Sequence, residues 1–93
     1  SATWKLWETI DTMITMYGAD WCSDCRRSKK LLNEMDVNYE YVDLLADPAA
    51  ADRAKAISGR TSIPVIAFSD GTHFVEPSDS ELREKVETLL RTR

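Results

Sequence analysis

The stretch Thr12-Met13-Ile14-Thr15-Met16-Tyr17-Gly18-Ala19-Asp20-Trp21-Cys22-Ser23-Asp24-Cys25 decides how this chain reads. Its opening residues, Thr12 to Tyr17, alternate and are rich in β-formers, which predicts a strand. Gly18-Ala19-Asp20 turns the chain, and both cysteines follow at once. From Cys25 to about Met35 the period becomes helical. Ser28, Leu31, Leu32 and Met35 share one face, while Arg26, Lys29, Lys30, Asn33 and Glu34 lie mostly away from it. A strand thus delivers a Cys-x-x-Cys pair to the end of a sheet, where a helix begins.

A Cys-x-x-Cys pair alone fits half of a zinc site, a structural disulfide or a redox-active dithiol. Zinc takes about four ligands, whereas the chain holds only these two cysteines and a single histidine, His73. As a staple the pair closes a tiny loop and removes little chain entropy. Redox chemistry remains, provided the fold places the thiols for it. A helix N-terminus carries about half a positive charge and free amide donors, and both favour a thiolate. Cys22, ahead of the helix, is expected to be the exposed cysteine that attacks. Cys25, inside the first turn, is expected to be more buried and to resolve a mixed disulfide. Arg26, Arg27, Lys29 and Lys30 crowd one stretch of this helix. The two lysines read as a solvated face. For the two arginines a solvated face and a role in attracting an anionic thiol both stay open. Asp24, inside the motif, opposes thiolate formation.

Working outward, Asp36-Val37-Asn38 breaks the helix and Tyr39 to Leu44 reads as a second strand, with Tyr39 and Tyr41 as packing residues. Asp47-Pro48 is a helix start, with Asp at the N-cap and Pro at the first helical position. That alanine-rich helix is expected to run to about Ser58 and stop at Gly59. Val65-Ile66-Ala67-Phe68 reads as a buried strand after Pro64. Ser69-Asp70-Gly71 turns it into a last strand from Thr72 to Val75, where His73 reads as solvated. Ser78-Asp79-Ser80-Glu81 is a capping box opening a final helix, with Leu82, Val86, Leu89 and Leu90 inward. The order is β-α-β-α-β-β-α. Such crossovers make the early strands parallel and put helices on both faces of one sheet, an α/β fold.

Size and charge agree with this scheme. The 93 residues suit one small domain, taken as residues 12–93 behind an N-terminal extension, 1–11, that carries Trp4 and Trp7. A composition of 43% hydrophobic and 30% charged residues argues against disorder. The formal charge of −4 argues against nucleic acid as a partner. No apolar run approaches the roughly 20 residues of a membrane span, so a monomer in the cytoplasm, without membrane association, is expected.

Trp21-Cys22-Ser23-Asp24-Cys25, with Thr61-Ser62-Ile63-Pro64 before the third strand, resembles the glutaredoxin branch of the thioredoxin fold. Phe68-Ser69-Asp70-Gly71-Thr72 and Glu76-Pro77-Ser78 look most like the mycoredoxins, actinobacterial relatives that use mycothiol. The resemblance implies a four-stranded mixed sheet flanked by three helices. It also implies a cis peptide before Pro64 and a backbone at Ile63 that pairs with a substrate cysteine. Ser78, Asp79 and Ser80 would bring a helix N-terminus to a carboxylate of the bound thiol; Trp21 and Arg26, beside the cysteines, are further candidates for thiol binding. No metal or permanently bound cofactor is implied; mycothiol, or glutathione, would be a co-substrate in reducing protein mixed disulfides. The chain departs from the glutathione-using members. Ser23-Asp24 replaces their Pro-Tyr and differs also from the Gly-Tyr of typical mycoredoxins, Pro77-Ser78 stands in place of a Gly-Gly turn, and Gly18-Ala19-Asp20 holds no lysine before the motif. These departures lean towards mycothiol. Two alternatives stay open: a thioredoxin-like dithiol reductase, and an iron–sulfur carrier using Cys22 from two chains.

Overall fold

The computed structural model describes residues 14–91. The expected extension at 1–11, with Trp4 and Trp7, lies outside the described residues, as do Thr12 and Met13 of the first strand. The elements are β1 (Ile14–Gly18), α1 (Ser23–Glu34), β2 (Glu40–Asp43), α2 (Ala49–Ser58), β3 (Val65–Phe68), β4 (His73–Val75) and α3 (Asp79–Arg91). One sheet runs in the order β2-β1-β3-β4. β1 and β2 are parallel, with Tyr17 opposite Val42; β3 is antiparallel to β1, with Met16 opposite Ile66, and to β4, with Ile66 opposite Phe74.

Alternation along the strands splits the interior into two layers. Ile14, Met16, Ile66 and Phe68 point to the side where α1 lays Leu31 and Leu32, and α3 lays Leu82, Val86 and Leu89. Cys22 and Cys25 belong to this same cluster, so the motif is part of the core. The alanine-rich α2 contacts β1, β3 and β4 and buries Ala50 and Ala54, small side chains that let it lie close to the sheet. Phe68 and Phe74 close the hairpin end, edge to face at 5.4 Å.

Several local expectations are corrected. α1 starts at Ser23 instead of Cys25, because Cys22 itself takes the N-cap with an extended backbone. β2 and β4 are each shorter than expected, since Tyr39, Leu44 and Thr72 fall beyond the ladder. Asp47 does not cap α2 through its side chain; its carboxylate turns to Arg53 at 3.3 Å, and the Ala50 N–H is met by the Asp47 carbonyl. Leu90 is exposed, not inward. The stripe of α3 follows 82, 86 and 89, and position 90 has rotated off it at 100° per residue. Gly59 ends α2 in the left-handed region, at φ 73°, as its position suggests. The capping box forms in both directions: the Ser78 N–H donates to Glu81 at 2.9 Å and the Glu81 N–H to the Ser78 hydroxyl at 3.1 Å.

Candidate active site

β1 ends at Gly18, and the Ala19-Asp20-Trp21 turn brings Cys22 to the start of α1. The Cys22 N–H is held by the Ala19 carbonyl at 3.1 Å. Its sulfur accepts the Cys25 backbone N–H at 3.2 Å, so a thiol fills the role usually played by a serine or aspartate at an N-cap. The same sulfur lies 3.8 Å from the Ile63 carbonyl, to which the thiol donates. The Ile63–Pro64 peptide is cis, as the resemblance implies. Pro64 is buried, and its carbonyl is fixed by the Glu76 N–H at 3.0 Å, which ties this loop to the end of β4.

Cys22 is less exposed than its position ahead of the helix suggests, at 9% against 1% for Cys25. It sits under the Ile63 carbonyl instead of projecting from the turn. It still borders an open groove lined by Trp21, Cys22, Ser23, Asp24, Thr61, Ser62, Ile63 and Glu76. Both cysteines are free thiols. Burial, above all, pushes the Cys25 thiol up from 9.0 to about 12. Its hydrogen bond to Cys22 and the charges of Cys22 and Asp24 act in the same direction, against a smaller opposing effect of a hydrogen bond from the Ala19 backbone. At neutral pH Cys25 therefore keeps its proton.

The expected substrate residues divide. Trp21, two-thirds exposed, and Ile63 stand on the groove wall. Pro64 lies beneath it as the buried half of the cis pair. Arg26 is directed elsewhere: its guanidinium donates to the Asp20 carbonyl at 2.7 Å, and it borders a separate surface hollow with Lys29, Lys30, Asn33 and Glu34. Arg27 links the two helix starts. It pairs with Asp24 at 3.4 Å and Asp79 at 3.2 Å and donates to the Pro77 carbonyl at 3.3 Å. Ser78 and Asp79 thus reach the motif through Arg27, while the Ser78 N–H is already taken by Glu81.

Three contacts here have no clear sequence signal. Glu76, a groove residue, has a positive φ of 49° despite its side chain; its one sequence mark is its place just before Pro77. Gly18 packs against the Cys25 sulfur. Tyr41 lies beneath Lys29, whose ammonium stands 3.9 Å from the ring centre, and its hydroxyl donates to Asp20 at 3.5 Å.

A thiol at a helix N-cap, a second thiol buried one turn later and a cis-proline loop that meets the first define a thioredoxin-fold thiol–disulfide oxidoreductase. A family model described as Glutaredoxin matches residues 14–74, and the chain belongs to the glutaredoxin family. It is 34% identical over 77 residues to mycoredoxin 1 of Corynebacterium glutamicum, covering 82% of this chain and 95% of that protein. Among solved structures it is similar to Methanosarcina acetivorans methanoredoxin, with a TM-score of 0.70 and 26% identity over 80% of this chain and 83% of that one. Archaeoglobus fulgidus glutaredoxin shares the fold at a TM-score of 0.70 and 24% identity, over 85% of this chain and 90% of that one.

Proposed function

We propose that the protein reduces mixed disulfides between proteins and a low-molecular-weight thiol, with Cys22 as nucleophile and mycothiol favoured over glutathione. The observation that carries this reading is the position of the Cys22 sulfur, 3.2 Å from the Cys25 amide and on the wall of a groove shared with Ile63. The amide N–H and the start of α1 meet this sulfur, which reacts with a disulfide as its thiolate. That thiolate attacks the small thiol's sulfur in the mixed disulfide. A Cys22–thiol disulfide forms, and the protein cysteine leaves with the electron pair and takes a proton from water. A second small thiol, as thiolate, attacks the sulfur held on Cys22 and restores the Cys22 thiolate. The net change turns one mixed disulfide and one small thiol into a protein thiol and a symmetrical small-thiol disulfide.

Attack by Cys25 on the Cys22 mixed disulfide would instead release the small thiol. It would leave a Cys22–Cys25 disulfide that needs two electrons from an external thiol donor. Burial, the largest cause of the upward push on the Cys25 thiol, does not depend on a free Cys22 and supports the first route.

The preference for mycothiol follows from charge. Glutathione carries two carboxylates, whereas the sugar portion of mycothiol carries none. Among the described residues no lysine or arginine lines the groove, and the neighbouring Arg27 is held by Asp24 and Asp79. The reading places the protein as a monomer among the reduced thiols of the cytoplasm. Turnover of a protein mixed disulfide, with either mycothiol or glutathione as the only reductant, tests it. Faster turnover with mycothiol is expected; equal or faster turnover with glutathione overturns the assignment of the thiol.

A further inference from the structure

We propose that Glu76 sets the charge preference of the groove, favouring mixed disulfides whose polypeptide cysteine, the leaving thiol, is flanked by lysine or arginine. The inference rests on the thiol–disulfide reading above and names the partner chemistry of that same site.

Glu76 and Asp24 are the charged side chains on the groove wall, and both are carboxylates. Their situations differ. Asp24 is met by the Arg27 guanidinium at 3.4 Å. Among the described residues no ion pair or hydrogen bond takes up the Glu76 carboxylate, and Glu76 is exposed. Its charge is the uncompensated one beside Cys22.

The backbone holds it there. Glu76 sits at φ 49°, a region few residues with side chains occupy. Its N–H is bound to Pro64, the residue after Ile63, and buried Pro77 follows it. The carboxylate is therefore carried on the frame that positions the cis-proline loop. A cationic segment lying along Ile63 brings its charges beside Glu76, and an acidic segment is repelled.

Mixed disulfides of three short blocked peptides with mercaptoethanol test this, the peptide cysteine flanked on both sides by lysine, by serine or by glutamate. The second-order rate constant for reduction by the fully reduced protein is measured for each, relative to its reduction by dithiothreitol, which cancels intrinsic reactivity. The wild type should prefer the lysine peptide to the serine peptide, and the serine peptide to the glutamate peptide, and high salt should compress this spread. Glu76→Gln should slow the lysine peptide and speed the glutamate peptide, each by about threefold, the scale of an exposed charge pair. Glu34→Gln, which removes the same charge from outside the groove, should leave the order intact. Equal shifts for all three peptides in Glu76→Gln, or an unchanged spread between them, would overturn the role of Glu76 while leaving the oxidoreductase reading standing. Failure of the wild type to reduce any of the three would overturn both.

Discussion

The sulfur of Cys25 rests against the bare backbone of Gly18, so closely that a Cβ there would stand 2.8 Å from it. Gly18 is the last residue of β1, and Cys25 lies in the first turn of α1. The absence of a side chain at the strand end is what lets the helix bring its second cysteine into the core. Gly18→Ala should therefore destabilise the fold by about 1–3 kcal/mol, the range for overpacking a filled core. The loss should shrink in a Cys25→Ala background, where the nearest remaining atom is a Cβ at 3.2 Å. Denaturant unfolding of the four proteins measures this coupling, and equal losses in both backgrounds would refute the contact as its cause.

Alkaline pH should weaken the fold through Cys25 and Tyr41. Burial pushes the Cys25 thiol from 9.0 to about 12 and, with Asp20, Cys25 and Asp43 nearby, the Tyr41 phenol from 10.0 to about 12. Above about pH 9 the unfolded chain releases protons that the folded chain retains, so stability falls as pH rises. The contribution is fully present below the ordinary values and is lost on the way to about 12. Cys25→Ser should remove the part of the decline that begins first, and Tyr41→Phe the later part. Urea unfolding in buffers from about pH 8 to about pH 11 tests this, and a flat wild-type profile would contradict it.

What could be read in the sequence, and what could not, follows from the range of the interactions involved. The element order was legible because period-2 and period-3.6 patterns are local, as are Gly59 and the Ser78–Glu81 box. Leu90 misled because an i+4 row drifts about 40° per step, so the third member of 82, 86 and 90 leaves the stripe. Cys22 and Cys25 were legible as chemistry, but the modest exposure of Cys22 depends on Ile63, far along the chain. Arg27 reads locally as another helix cation. Only the approach of α1 and α3 hands it to Asp79 and Pro77. The left-handed backbone of Glu76 is likewise tied to Pro64 by a tertiary hydrogen bond with no local pattern.

Acid should loosen the β3–β4 hairpin through Asp70. Lys85 approaches its carboxylate at 2.6 Å, and the Thr72 N–H and hydroxyl donate to it at 2.9 and 2.6 Å. These partners, the Lys85 hydrogen bond first, hold the Asp70 carboxyl well below its ordinary 3.8. A depressed carboxyl stabilises the fold above its ordinary value, and that contribution is lost as pH falls below it. Asp70→Asn should therefore lower the melting temperature by a few degrees near neutrality. The gap to wild type should begin to narrow below about pH 4 and shrink steadily as the pH falls further; a gap that does not narrow in acid would point to a cause other than ionisation.

Replacing Ser78 at the start of α3 should affect stability more than turnover. Ser78→Ala removes the hydroxyl that caps Glu81 and should cost about 1 kcal/mol in denaturant unfolding. Turnover should change little, because the Ser78 N–H is committed to Glu81 and Arg27 still joins Asp79 to the motif. A large rise in KM for the small thiol in Ser78→Ala would instead show that this hydroxyl binds it.

The two cysteines should behave unequally when each is replaced. Cys22→Ser removes the sulfur that accepts the Cys25 amide and faces the groove, and turnover should fall to background. Cys25→Ser leaves that sulfur in place. The retained serine hydroxyl fills a site 1% exposed, and turnover on mixed disulfides should stay within about threefold of wild type if a second small thiol completes the cycle. The dithiol route predicts the opposite, a stalled Cys22 adduct that accumulates and is visible as added mass. A dead Cys25→Ser carrying that adduct would shift the mechanism to resolution by Cys25. The buried thiol would then need its proton removed before it could attack.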